Sequence, residues 1–110
     1  HYQAEMGEYE WHPATTFPLG YMPHSSLDPP KKALLDPGDV FGLISDGIYE
    51  YENEAGVQFG RQGVMKVLDN NPDASAQELV DKIMAAAREH GGTAPQADDI
   101  TIVLVRRLPR

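Results

Sequence analysis

Val40-Phe41-Gly42-Leu43-Ile44-Ser45-Asp46-Gly47 and its counterpart Asp98-Asp99-Ile100-Thr101-Ile102-Val103-Leu104-Val105 decide the fold. Each joins a continuous apolar run to a short acidic stretch. A run without alternation suits a strand covered on both faces. A carboxylate at the end of such a strand is costly to leave unpaired, because desolvating an anion is expensive. It must meet a cation, a set of donors or a metal ion, or stay wet at the strand mouth. If the two strands lie side by side, Asp46 and Asp98 converge on an oxygen-rich pocket of the kind that holds Mg²⁺ or Mn²⁺. Taken singly, Asp46-Gly47 reads as an ordinary turn, since Asp-Gly is a common turn pair; the adjacent carboxylates of Asp98 and Asp99 repel, so a nearby cation would relieve them.

The chain outward from these runs predicts an α+β domain, with two helices on one face of a mainly antiparallel sheet. Residues 2–12 alternate around Gly7 and predict two short strands. Pro13, Pro18, Pro23, Pro29 and Pro30 make residues 13–30 a loop, either a lid over a pocket or a connection packed on the core by Phe17, Leu19, Tyr21 and Met22. The packed connection is the expected one. Lys31–Leu35 is expected to be a short strand and Asp36-Pro37-Gly38-Asp39 a turn. Ile48–Glu52 suits a helical turn, and residues 53–56 a polar loop. Phe59-Gly60 opens a helix over Arg61–Leu68, stopped by Asn70-Asn71-Pro72-Asp73. Ser75 followed by Glu78 is a capping-box pattern for a helix over 76–90, with Leu79, Val80, Ile83, Met84 and Ala87 in one stripe and Gly91 as its stop. Residues 100–107 form the last strand.

The totals exclude several classes. At 110 residues the chain makes one domain with little margin for its core. A net charge of −8 argues against nucleic acid and against direct contact with an anionic membrane. The absence of cysteine removes disulfides, thiolate zinc sites and cysteine nucleophiles, and is compatible with a reducing, cytoplasmic location. No apolar run approaches the roughly 20 residues of a spanning helix. A start at His1 rather than Met fits a piece of a longer protein. His1, His12, His24 and His90 lack helical ligand spacing and are expected at the surface. No nucleophile elbow, phosphate-binding glycine loop or dinucleotide fingerprint occurs.

In order, Pro18-Leu19-Gly20, Leu35-Asp36-Pro37-Gly38-Asp39, Ser45-Asp46-Gly47-Ile48-Tyr49-Glu50, Phe59-Gly60 and Asp98-Asp99-Ile100-Thr101 resemble the metal-dependent (PPM-type, type 2C-like) serine/threonine phosphatases. The nearest branch is that of the sporulation stage II E phosphatase and RsbU-type stress regulators. The resemblance spans nearly the whole chain; each motif alone is weak, and their order makes the set specific. It implies an α-β-β-α sandwich, two Mn²⁺ or Mg²⁺ ions, and hydrolysis of phosphoserine or phosphothreonine by a metal-bridging water. It implies Asp46 and Asp98 as metal ligands, Asp99 orienting Asp98, and Gly47 keeping room beside the metal. The implied substrate is a phosphorylated regulatory protein, such as an anti-sigma-factor antagonist.

One departure qualifies this. The family's upstream Gly-Asp ligand motif and its Gly-His-Gly segment are absent, and Gly38-Asp39 corresponds only to the family's turn before the Ser-Asp-Gly strand. Residues 1–110 therefore look like the C-terminal portion of a phosphatase domain. Weak metal binding, little turnover and self-association through exposed sheet edges are expected. Two other readings stay open: a phosphatase-like module that only docks a signalling partner, and a structural α+β domain whose acidic turns do nothing.

Overall fold

The computed structural model describes residues 1–15, 18–23 and 28–109. Its elements run β1 (Tyr2–Gln3), β2 (Glu8–Tyr9), β3 (Val40–Ile44), α1 (Asp46–Tyr49), α2 (Gly60–Asn70), α3 (Ala76–Gly91) and β4 (Ile102–Arg106). The strands form one four-stranded antiparallel sheet in the order β2-β1-β3-β4. The expected α+β class is therefore found.

Strands β3 and β4 pair along their full length, from Val40 opposite Arg106 to Ile44 opposite Ile102. Side chains alternate across a strand. Val40, Ile44, Ile102 and Leu104 thus share the face that packs with Val64, Val67 and Leu68 of α2 and Leu79, Ile83 and Ala87 of α3. Ile48, Leu79 and Ile83 are fully buried, and each such side chain stabilises the fold by about 1.5–3 kcal/mol. The opposite face of this pair stays open: Leu43, Val103 and Val105 are 63%, 50% and 52% exposed. The continuous apolar run of β3 was expected to be covered on both faces, and it is covered on one. On its other edge β3 meets β1 only at Val40, opposite Tyr2.

The capping box of α3 forms as expected: Glu78 N–H donates to Ser75 Oγ at 3.1 Å, and Ser75 N–H donates to the Glu78 carboxylate at 2.7 Å. Gly91, expected to stop this helix, is instead its buried last residue. A Cβ there would lie 2.1 Å from the Tyr51 ring, so the glycine is required by packing, and the turn out of the helix falls to Gly92 at φ 58°. The Arg106 guanidinium closes the connection from α2 to α3 by donating to the carbonyls of Pro72 and Ala74.

Three expectations fail. Lys31–Leu35 forms no strand. Among the described residues no strand pairs with this segment, and Leu34 is 88% exposed. Leu19, Tyr21 and Met22 do not tuck onto the core: all three are exposed. Phe17 and His24 lie outside the described residues. His1 was expected at the surface, yet its side chain is 5% exposed, with Nε2 2.9 Å from Asp39 Oδ2.

Asp39 is the buried polar hub behind that pairing. Its carboxylate also accepts from Ala4 N–H at 2.9 Å and Asp36 N–H at 3.0 Å, and its backbone carbonyl accepts from Arg107 N–H at 3.0 Å. It thereby ties the first hairpin, the turn before β3 and the end of β4 together. Burial pushes its pKa up, but the hydrogen bonds from His1, Ala4 and Asp36 outweigh burial and hold the carboxyl below its ordinary range. A depressed folded-state pKa contributes stability that is present above the unfolded value of about 4 and is lost as pH falls through the folded value. Asp39→Asn is expected to cost about 1–3 kcal/mol near neutral pH. Urea unfolding should show the gap to the unsubstituted chain closing as the pH drops below about 4.

Candidate metal centre

Ser45 follows the last residue of β3 and locks that end to the start of β4. Its N–H donates to Thr101 O at 2.9 Å, its hydroxyl oxygen accepts from Thr101 N–H at 2.8 Å, and its hydroxyl lies 3.4 Å from Asp99 O. Two acidic segments far apart in the chain are thereby laid against each other. Asp46 opens α1 and is exposed; Asp98 and Asp99 enter β4 and are exposed.

Gly47 explains how closely the segments approach. A Cβ on it would sit 2.2 Å from the Asp99 carbonyl oxygen and 3.1 Å from Ile100 Cγ1. The space beside Gly47 is filled by the backbone of Asp99, so this glycine sets the spacing between the two acidic segments. Asp98 is oriented locally. Its Oδ1 accepts from Asp99 N–H at 2.7 Å, and its carbonyl accepts from the Gln96 amide at 2.8 Å.

The two carboxylates border different hollows on either side of α1. Asp46 lines a cleft of about 550 Å³ with Trp11, Tyr49, Glu50 and Arg61, along the free edge of β3. Asp98 lines a second hollow of about 450 Å³ with Gly47, Glu50, Glu52 and Asn53. Glu50 borders both. In the first cleft the Arg61 guanidinium lies 4.4 Å from the centre of the Trp11 ring, a cation–π contact. Burial raises the pKa of Tyr49; Arg61 opposes that shift and Asp46 adds to it, which places both charges within electrostatic reach of the phenol.

The donor chemistry of Asp46 and Asp98 suits a hard divalent ion. The donor number falls short: among the described residues, no group of three converging ligand-type side chains includes either aspartate. The group that does converge is His1, Glu10 and His12, none of which was singled out from the sequence as a ligand. Its signal lay in the alternation of residues 2–12, which puts positions 10 and 12 on one side of the hairpin.

A profile of the family Stage II sporulation protein E (SpoIIE) matches residues 2–108. The chain belongs to the SpoIIE family. It is also similar in structure to the SiaA-PP2C domain of Pseudomonas aeruginosa, with a TM-score of 0.61 and 32% identity. That similarity covers 67% of this chain but 31% of the other, so this SpoIIE-family chain spans under a third of the structure it resembles. A search of curated proteins finds no match. No helix among the described residues is long and apolar enough to cross a membrane. The SpoIIE family and the PP2C-type domains it resembles are phosphatase-type domains that generally use Mn²⁺ or Mg²⁺.

The close approach at Gly47 is directly testable. Gly47→Ala must push the Asp99 backbone away, and overpacking of this kind costs about 1–3 kcal/mol. Thermal unfolding should show that loss, and the amide resonances of Asp99 and Thr101 should shift more than those of α3. Unchanged stability and spectra would contradict the contact.

Proposed function

We propose that residues 1–110 form the C-terminal portion of a PPM-type phosphatase domain, whose parent protein hydrolyses phosphoserine or phosphothreonine on a regulatory partner. One observation carries this reading: in a chain matched to the SpoIIE family over residues 2–108, the Ser45-Asp46-Gly47 and Asp98-Asp99 segments meet at one end of the β3–β4 pair.

Asp46 and Asp98 would each supply carboxylate oxygen to Mn²⁺ or Mg²⁺. When bound, such ions acidify water and offset the charge of a transferring phosphoryl group. Asp99 N–H and Ser45 hold the Asp98 segment in place, and Gly47 fixes its distance from α1. Arg61, beside Asp46 in the cleft, is a cation that can meet a phosphate oxygen. A phosphorylated anti-sigma-factor antagonist is the substrate type that the family suggests, in a cytoplasmic setting.

The donor shortfall favours a second reading, a phosphatase-like module that docks a signalling partner without turning it over. Assays of p-nitrophenyl phosphate and a phosphopeptide at saturating Mn²⁺ separate the two. In the longer parent protein, Asp46→Asn and Asp98→Asn should each lower turnover by about two orders of magnitude, the scale of one lost electrostatic stabiliser. The 110-residue chain alone should show little turnover. A parent protein without activity would establish the docking reading, and robust activity of the short chain would refute the incomplete-site account.

The open face of β3 and β4 adds a proposal about assembly. Leu43, Val103 and Val105 form an exposed apolar strip next to the unpaired edge of β4. Such a strip favours pairing with a second copy. Sedimentation of the 110-residue chain should give a dimer or larger species, and Val103→Lys should shift it to monomer. A monomer at all concentrations would end this proposal.

A further inference from the structure

The end of the first hairpin gathers metal-binding chemistry of a kind different from that of the aspartate pair. His1 and Glu10 face each other across the hairpin: Glu10 N–H donates to His1 O at 2.8 Å, and the His1 amine donates to Glu10 O at 2.9 Å. His12 follows two residues beyond Glu10, and its ring stacks beside that of His1. Tyr2, Tyr9 and Trp11 take the other side: Tyr9 reaches Met65 O and Asp69 of α2, and Trp11 meets Tyr49 of α1. The imidazoles of His1 and His12 stack with centroids 6.4 Å apart, and both lie against Phe41, at 6.2 and 5.8 Å.

We infer that His1, His12 and Glu10 form a binding site for a borderline divalent metal such as Zn²⁺ or Co²⁺, in the cleft that Asp46 also lines but with a ligand set that includes neither Asp46 nor Asp98. One ligand atom from each of the three lies within 4.8 Å of the others, and His12 Nε2 is already 3.9 Å from Glu10 Oε2. Ligands around a tetrahedral zinc stand about 3.3 Å apart, given metal–ligand bonds of about 2.0–2.1 Å. Closing that gap takes side-chain rotation of Glu10, whose side chain is 58% exposed, and of His12, whose side chain is 26% exposed.

His1 is the prearranged member. The buried Asp39 carboxylate already accepts from Ala4 N–H and Asp36 N–H, so His1 Nε2 carries the proton toward it and the lone pair falls on Nδ1. A carboxylate behind a ligating imidazole is the arrangement that fixes tautomer and ring orientation in metal sites. Two imidazoles and one carboxylate select Zn²⁺, Co²⁺ or Ni²⁺ over Mg²⁺, and leave one position open to water. Bound metal would clip the start of β1 to the segment that follows β2, and stabilise the folded chain by its binding free energy.

The test is Co²⁺ titration of the tag-free 110-residue chain carrying Asp46→Asn and Asp98→Asn, with the N-terminus acetylated so that the α-amine cannot chelate. The expected result is a saturable one-to-one visible absorption band, abolished by Zn²⁺ and unaffected by Mg²⁺. Ring-proton resonances of both His1 and His12 should shift paramagnetically. His12→Ala and Glu10→Gln should each weaken binding by about tenfold or more, since even an outer-sphere partner counts for that much. Circular dichroism checks that both variants fold. The absence of a band, or equal affinity in His12→Ala with only the His1 resonances shifted, would overturn the proposal.

Discussion

The placement of Asp46 against the Asp98-Asp99 segment depends on the β3–β4 register, and at the site end that register is held by Ser45. An antiparallel pair can slip by one residue, and a slip would turn each inward side chain outward. Ser45 resists this with its N–H, which donates to Thr101 O, and its hydroxyl oxygen, which accepts from Thr101 N–H. The buried row of Val40, Ile44, Ile102 and Leu104 enforces the same register from the core side. A polar lock at one end and an apolar row along the strands therefore agree. That agreement between levels is what gives a sequence one preferred structure.

Much of the fold was legible because its signals were local. The capping box at Ser75 and Glu78, the stripe through Leu79 and Ile83, and the runs that became β3 and β4 depend on neighbours within a few residues. The misreadings share a cause in contacts made at long range. Lys31–Leu35 has strand-like composition, but no distant strand pairs with it and Leu34 stays exposed. Gly91 carries a helix-stop signature, but the ring of Tyr51, forty residues earlier in the chain, fixes it as a packing glycine. His1 and Asp39 looked like a surface histidine and a turn aspartate, and nothing near either predicts a buried pair.

The candidate site divides along the same line. Asp46 and Asp98 were legible because an acidic residue at the mouth of an apolar strand is conspicuous, and the strands do prove adjacent. Adjacency of backbone does not place carboxylates in one hollow. Asp46 opens α1 toward Trp11 and Arg61, while Asp98 faces the side lined by Glu52 and Asn53. Which way each side chain turns follows from the four-residue helix α1 and from the 93–99 loop, neither of which has a strong sequence pattern.

The free edge of β3 connects the site to the open sheet face. Its β1 side is paired only at Val40, so Phe41–Ile44 present backbone groups to the cleft that Asp46 lines. A strand laid there would satisfy those groups, narrow the cleft beside Asp46 and cover part of the apolar surface around Phe41. Whatever fills that edge therefore acts on the acidic site and on the exposed face at once, because both are bounded by the same five residues. Stability of the sheet and completion of the site are in this sense one structural requirement: a partner that only covered the apolar face would leave the cleft as it is, and only one that paired along β3 would change both.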